Sequence, residues 1–345
     1  MSQEPFVKRA LSVQINVPAG IQKMNYQTGK LETSAFAGQR ISLTKYRIKA
    51  AIECYGEASA VAATFQIYDL PYELMAALSG YGTQGVFNYA AKSAQAISSG
   101  SGVVTVSLFV SENTNDTLGK TATQEQLQNN QKTCVFRGSL VTASAQMSAA
   151  PDPFLFIQCN TLNDARLVPT PPISFKGSVR ASVIARQLAD FMGWGFEDAG
   201  VQTVLQNPYF CGSVSAQLSD LAQQGSFVWI VENNTLSIWP VNGARKAPTS
   251  NASGVLINDS NGLIGYPEFN GVGISFSTIY NPGLRFGDQV RLETIFPNAT
   301  GTYLIYGLAH HLDSEDPSGE WTSIVQGSFI HAKIGQAMEW TPDVS

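Results

Sequence analysis

The sequence predicts a mainly β chain of the α+β class, with a small helical module between two strand-rich regions. Apolar and polar residues alternate with a period of two through the first and last thirds, which is typical of half-buried strands. The middle third carries two helix-length apolar patterns followed at once by a hairpin. A proline cluster, Pro169, Pro171 and Pro172, marks the boundary before that module.

In the first region, strands are predicted where β-branched and aromatic residues alternate with polar ones. These runs cover residues 11–17, 44–54, 60–68, 104–110, 134–141 and 154–159. Pro71 suits the first turn of a short helix that reaches Leu78 and stops at Gly80 and Gly82. Residues 111–131 are rich in Asn, Thr and Gln and predict a polar loop.

In the middle module, Ser178 is expected to cap a helix that ends just before Gly193. The apolar positions of that helix are Val179, Val183, Ile184, Leu188 and Phe191. A second helix is predicted over residues 215–224, with Gly225 just past its end. The hairpin then pairs residues 227–231 with 235–239, because Asn233 and Asn234 tolerate the positive φ of a tight turn.

The last third returns to short strands, predicted over residues 273–279, 289–296, 303–308, 321–326 and 328–331. Turn clusters at 281–283 and 316–319 separate some of them. Five short strands within about 60 residues predict a small antiparallel barrel. The sequence has no short-period repeat, and it leaves open whether the two outer regions share a fold.

Composition narrows the function classes. Only 14% of the 345 residues are charged, against roughly 25% in an average domain, while Ser, Gln and Asn number 33, 23 and 19. A hydrophobic content of 44% excludes disorder, and a pI near 5.3 argues against a basic nucleic-acid binder. No apolar run is long enough to predict a membrane span. The weakly charged surface fits either a neutral monomer or a subunit covered by partners.

The cysteines and the N-terminus predict a protein made in a reducing cytoplasm. Cys54, Cys134, Cys159 and Cys211 are far apart and form no C-x-x-C pair, so buried thiols are expected and not a zinc or redox site. The first residues contain no apolar stretch of the kind found in a secretory signal.

Groups that could carry catalysis are few. His310 and His311 are adjacent, so a strand would direct them to opposite faces; one of them could pair with Asp313, or be a strand-end histidine bonded to a turn. Residues 80–85 match G-x-G-x-x-G but follow a helical segment, which favours a turn. Glu315 and Asp316 are expected to be solvated acids in a turn. No cofactor, metal or catalytic site is predicted.

The aromatic residues leave a carbohydrate-binding alternative open. Trp194, Trp229 and Trp239 could line a sugar-binding face, but they stand where the middle module needs a core. Packing is the favoured interpretation.

An ordered set of segments resembles the baseplate hub proteins of contractile-tailed, myovirus-like bacteriophages. The C-terminal segments are residues 262–270 (GLIGYPEFN), 273–276 (GISF), 280–288 (YNPGLRFGD), 303–311 (YLIYGLAHH), 313–315 (DSE) and 319–321 (GEW). The N-terminal segments are residues 63–70 (ATFQIYDL) and 135–141 (VFRGSLV), with Pro151 and Asp152 downstream. The resemblance spans about residues 40–332.

The resemblance implies two barrel-shaped, tube-like domains on either side of a small α/β module. The expected boundaries are 1–172 for the first barrel, with its short helix and polar loop, 173–248 for the module and 249–345 for the second barrel. Three copies would form a pseudo-sixfold ring that joins the six-fold tail tube to the three-fold central spike. The ring would take part in tail assembly and DNA ejection, without catalysis.

The resemblance also implies partners and a location. A homotrimer would meet the tail tube or a tube-adaptor protein above and the spike below, with baseplate wedge and tape measure proteins as further partners. Genomic DNA would pass without specific binding, and no membrane insertion is expected. The chain would be part of the virion, assembled in the host cytoplasm. The alternatives are a tail-associated cell-wall hydrolase and a glycan- or receptor-binding tail module.

One segment supplies candidate site residues, with structural and not chemical roles. Asn281, Pro282, Gly283, Gly287 and Asp288 are expected to shape a turn, in which Gly283 takes a positive φ. Arg285 is expected to pair with an acid across a subunit contact.

Overall fold

The structure is a computed structural model that describes residues 8–19, 21–25, 30–55, 60–79, 103–113, 133–167, 170–245 and 255–329. Within these residues the chain is mainly β, as the sequence predicts. None of the described helices is long and apolar enough to cross a membrane.

In the described residues, the first region has nine strands and two short helices. The strands are β1 (Lys8–Asn16), β2 (Gln22–Asn25), β3 (Lys30–Thr33), β4 (Arg40–Thr44), β5 (Ile48–Tyr55), β6 (Ala62–Tyr68), β7 (Thr105–Asn113), β8 (Thr133–Gln146) and β9 (Phe154–Asn160). The helices are α1 (Tyr72–Leu78) and α2 (Asn163–Leu167).

Two expectations for this region change, and that of the short helix is met. The strand predicted from residue 44 begins at Ile48, because Lys45 takes a φ of 67° that no strand tolerates. Residues 111–113 belong to β7 and not to the polar loop, whose residues 114–131 lie outside the described part. Helix α1 ends at Leu78, the last residue that the sequence predicts for it, and Ser79 after it is extended. The glycines at 80–85 also lie outside the described residues.

The middle module contains seven strands and two helices. The strands are β10 (Ile173–Ser174), β11 (Ser178–Arg180), β12 (Gly195–Asp198), β13 (Val204–Gln206), β14 (Tyr209–Phe210), β15 (Phe227–Glu232) and β16 (Thr235–Pro240). The helices are α3 (Ala181–Met192) and α4 (Val214–Gly225). The hairpin β15–β16 is confirmed, with Asn233 and Asn234 at positive φ. Trp194, Trp229 and Trp239 are buried, which confirms that they pack in a core.

The helix termini of this module differ from the prediction. Ser178 starts β11 instead of capping a helix, because β11 pairs with β13, and Arg180 precedes α3. Val179 therefore lies on a strand, and Val183 is exposed instead of inward. Helix α4 begins one residue early because Ser213 caps it through the Ala216 N–H. Gly225 is the last helical residue, and Ser226 takes the left-handed conformation expected just after it.

Between residues 255 and 329, which the structure describes, the last region has six strands. They are β17 (Val255–Ile257), β18 (Leu263–Phe269), β19 (Gly273–Ile279), β20 (Gln289–Leu292), β21 (Gly301–Ser314) and β22 (Trp321–Phe329). Residues 321–326 and 328–331 were expected to be two strands, but residues 321–329 form one, since β22 pairs without interruption with β19. Strand β21 continues to Ser314 because its second half pairs with β5, which lies over 200 residues away in the sequence.

One 13-stranded sheet joins the two outer regions. Its main path runs β18-β19-β22-β21-β5-β6-β9-β8-β7-β1-β4, with β20 and β17 attached beside β21. The described strands do not close into a barrel, so the two-barrel arrangement and its domain boundaries stay predictions. Buried residues such as Phe65, Ile67, Leu155 and Ile157 alternate with residues that are mostly half-buried, so one face of the sheet covers the core.

The sheet contains the same five-strand arrangement twice, in a first repeat of β5–β9 and a second repeat of β18–β22. Both run in the spatial order first, second, fifth, fourth, third, with every neighbouring pair antiparallel. A register shift interrupts the same strand pair in each repeat, at Leu140/Thr142 and at Ile305/Gly307. The two outer regions therefore share this five-strand topology, a question that the sequence left open.

Candidate functional site

The predicted turn segment, residues 281–288, lies where the middle module meets the last region. The Asn281 side-chain oxygen accepts the Gly283 N–H at 2.8 Å, and the Asn281 carbonyl accepts the Leu284 N–H at 3.2 Å. A second turn follows, in which the Asp288 N–H donates to the Arg285 carbonyl. The segment is thus a double turn, as its sequence suggests.

The glycine that needs a positive φ in this segment is Gly287, at 83°, and not Gly283. A Cβ on Gly287 would stand 2.6 Å from Cζ2 of Trp239, so the indole packs directly on the glycine backbone. The Gly287 carbonyl accepts the Arg245 N–H at 2.7 Å, and its own N–H donates to the Ile305 carbonyl at 2.9 Å. Gly287 therefore links the module's last strand, the chain that leaves the module, and β21.

Four charged side chains cluster beside this turn, namely Arg245, Arg285, Glu197 and Glu232. Arg245 Nη1 lies 2.7 Å from Glu232 Oε2, and Arg245 Nη2 lies 3.3 Å from Glu197 Oε2. Arg285 contacts the same two oxygens, at 3.3 Å from Glu232 and 3.6 Å from Glu197. The Ser237 hydroxyl donates to Glu197 at 2.8 Å.

The burial of each arginine decides how much its ion pairs matter for stability. The Arg245 side chain is fully buried, whereas that of Arg285 is 38% exposed. A buried guanidinium must be paired with carboxylates, because desolvation of an unpaired charge is costly. Arg285 contacts two acids of its own chain, and its pairing with an acid across a subunit contact stays a prediction. This charge cluster fixes the module on the last region.

Neither His310 nor His311, the two histidines that the structure describes, pairs with Asp313. His310 is buried, and its Nδ1 lies 2.8 Å from the Ser323 hydroxyl, on the neighbouring strand and not in a turn. Burial lowers the pKa of His310 to about 4, so the ring is neutral at neutral pH. Ser323 is completely buried as well, so a cell-wall polymer could not reach the His310–Ser323 hydrogen bond.

Asp313 and Asp316 both bind Lys49, at 3.6 and 3.2 Å. Hydrogen bonds from the Ser318 N–H and then from Lys49 lower the pKa of Asp316. Asp316 is therefore a structural ion-pair partner and not the solvated acid that the sequence suggested.

The cysteines and acids form no metal site in the described part of the chain, where no group of three or more His, Cys, Asp or Glu comes together. Cys54 and Cys159 are buried, and burial raises the pKa of Cys54 to about 12. Cys134 is half-buried and Cys211 is exposed, so the expectation of buried thiols is wrong for Cys211.

A family model named baseplate hub gp41 matches residues 111–323, which is more than half of the chain. The chain belongs to the baseplate hub gp41 family. This membership gives the hub a structural role in a phage tail baseplate and makes it a virion component that associates with other tail parts. It confirms the resemblance seen in the sequence.

Solved structures share the fold of this hub at very low sequence identity. A tail protein from Neisseria meningitidis MC58 is 11% identical, with 93% of this chain and 97% of that chain covered and a TM-score of 0.53. The 43 kDa tail protein of prophage MuSo2 from Shewanella oneidensis is 9% identical, with 92% and 97% covered and a TM-score of 0.51. No curated protein matches significantly.

The hub also carries a broad face with few charges. On β22, β21, β5, β6 and β9, the residues between the buried positions point to the other side of the sheet. This outer face is defined here by its polar and small residues Thr322, Gln326, His311, Ala51, Thr64, Gln66, Gln158 and Asn160. Among the described residues of these five strands, Lys49 is the only Lys or Arg on the outer face. Its amine pairs with Asp313 and Asp316. The sequence showed the excess of Ser, Gln and Asn, but only strand pairing brings such residues together on one face.

Proposed function

We propose that three copies of this chain form the hub ring of a contractile phage tail, joining the six-fold tail tube to the three-fold central spike. The observation that carries the proposal is the five-strand repeat, which occurs twice in one chain. Three chains then supply six equivalent units to a six-fold neighbour and three identical chains to a three-fold one. Each repeat would belong to one of the two tube-like domains, 1–172 and 249–345, flanking the module 173–248.

The ring would act without catalysis during tail assembly and DNA ejection. Its partners would be the tube or a tube adaptor above, the spike below, and wedge and tape measure proteins. Assembly would take place in the host cytoplasm. The buried, neutral His310 and the paired acids support a structural role, because solvent-accessible titratable groups are what hydrolysis of a cell-wall polymer requires.

The outer face fits a lumen through which DNA passes without being held. Phosphate binding depends on Lys and Arg, and the only amine on the central strands of this face is held by two carboxylates. Hydroxyl and amide groups stay hydrated beside a moving duplex, and they carry no positive charge that would hold its phosphates. DNA would therefore slide past this face.

The mass of the purified protein tests the ring. Native mass spectrometry at micromolar concentration should give three times the chain mass of 37.1 kDa. A monomer would contradict the proposal. Release of soluble fragments from purified peptidoglycan, or specific binding on a glycan array, would instead support the hydrolase or the receptor-binding alternative.

Thiol accessibility tests the lumen. In a Cys211→Ser background, Gln158→Cys on the outer face is compared with Gln187→Cys on the exposed side of α3. A small maleimide should label both sites in the ring, whereas a maleimide carrying bulky polyethylene glycol should label only the control. Equal labelling by the bulky reagent would place the outer face outside the lumen.

A further inference from the structure

Strand β21 receives two different strands along one side. Its first residues, Gly301–Leu304, pair with β20, and residues Gly307–Ser314 pair with β5 of the first repeat. Along its other side β21 pairs with β22. The contact between the two repeats inside one chain is therefore β5 added to the second half of β21.

The equivalent strand of the first repeat, β8, is only half covered. Residues 133–139 of β8 pair with β7, and residues 139–146 pair with β9 on the other side. No strand in the described part of the chain pairs with the remaining side of Thr142–Gln146. This stretch is the counterpart of Gly307–His311, because the register shifts at Leu140/Thr142 and Ile305/Gly307 correspond.

The equivalent of β5 in the second repeat is β18, which lies at one end of the sheet path. Among the described strands it pairs only with β19. Tyr266 and Phe269 on β18 are 65% and 56% exposed, and Met147, just after β8, is 48% exposed. An uncovered strand edge with exposed aromatic residues is a site at which a strand of another chain can add to the sheet.

We propose that β18 of one copy adds antiparallel to the free side of β8 in the next copy, as β5 adds to β21 within the chain. This inference rests on the proposed trimer and names the surfaces that form it. The contact joins two different surfaces of the same chain, so three such head-to-tail contacts close a ring when each rotates the next copy by a third of a turn. The occupant of the β18 edge is therefore a second copy of this protein.

The two repeats also give the register. Gln158 and Gln326 are counterparts, because they pair with the corresponding residues Thr142 and Gly307. Thr64 pairs with Gln158 and Ser275 with Gln326, so these two residues correspond as well. Since Ala51 pairs with Thr64 and Glu268 with Ser275, Glu268 is the counterpart of Ala51. Gln146 is likewise the counterpart of His311, since both lie six residues beyond the corresponding points Leu140 and Ile305. Because His311 lies opposite Ala51, Glu268 of one copy is expected opposite Gln146 of the next.

A pair of cysteines tests this register. Glu268→Cys and Gln146→Cys are combined in a Cys211→Ser background, and both positions are accessible on the outer face. Directly opposed residues in antiparallel strands have Cα atoms about 4.5–5.5 Å apart, which suits a disulfide. Mild oxidation should give covalent dimers and trimers that a reductant returns to single chains.

The matched control combines Glu268→Cys with Thr142→Cys, on the same face but four residues along β8. That shift moves the thiols about 13 Å apart, beyond the reach of a disulfide. A trimer that cross-links only in the first pair supports the inference. If the protein is a trimer but neither pair cross-links, or both pairs cross-link equally, the proposed strand contact is overturned and the proposed ring is not. A monomeric protein overturns both.

Discussion

Replacement of Arg245 by methionine tests whether the charge cluster fixes the middle module. The Arg245→Met change keeps most of the side-chain volume and leaves the backbone N–H that donates to the Gly287 carbonyl. It removes the guanidinium that contacts both Glu232 and Glu197. Breaking a buried ion pair by deleting one partner costs about 3–5 kcal/mol.

The structure places this variant at the lower end of that range. After the change, Arg285 still lies 3.3 Å from Glu232, and the Glu197 side chain is 38% exposed and so partly hydrated. We therefore expect a loss of about 3 kcal/mol in the free energy of unfolding. Arg285→Met should cost below about 1 kcal/mol, because its side chain is itself 38% exposed.

Urea denaturation followed by tryptophan fluorescence measures both variants. Trp239 packs against Gly287 beside the cluster, so its emission reports on this junction. The reasoning requires a lower midpoint with an unchanged slope for Arg245→Met. Equal losses for Arg245→Met and Arg285→Met would refute the argument that burial of the guanidinium sets the cost.

Two further predictions concern the glycine turn and the buried histidine. Gly287→Ala should destabilise the protein more than Gly193→Ala in thermal unfolding. Both changes cost about 1–2 kcal/mol because alanine must adopt the left-handed backbone conformation, but only the Gly287 change adds a methyl group 2.6 Å from Trp239, whereas a Cβ on Gly193 meets nothing within 4 Å. Similar losses in the two variants would contradict the close packing of that indole. His310 binds a proton in the unfolded chain near its usual pKa of 6.5 but in the folded chain only near 4, so stability should fall as the pH drops between these values, by about 3 kcal/mol in total. His310→Gln should flatten that part of the stability profile, and an unchanged profile would show that another group controls it.

The alternation of side chains determined the strands well, because strand periodicity is a local property. Residues 11–17 gave β1, and the Asn233-Asn234 pair gave the hairpin, since two asparagines accept positive φ wherever they stand. The buried tryptophans of the module followed from the same local pattern. The family resemblance also came from the sequence, because short ordered segments carry it.

The sequence missed the features that depend on distant partners. Ser178 resembles a helix cap until β11 finds β13, and the four-charge cluster joins residues as far apart as Glu197 and Arg285. Gly283 and Gly287 are equally permissive as residues, and only the position of Trp239 shows which of them must be glycine. None of these partners is near in sequence, so no local pattern reports them.

The sequence by itself determined a weakly charged, mainly β hub chain with a helical module in its middle. Tertiary structure decided that the same five-strand unit occurs twice and that β5 joins β21 to make one sheet. The physical reason is that strands pair through backbone N–H and C=O groups, which all residues share apart from the N–H that proline lacks. The side chains therefore specify strands far better than they specify which strands meet.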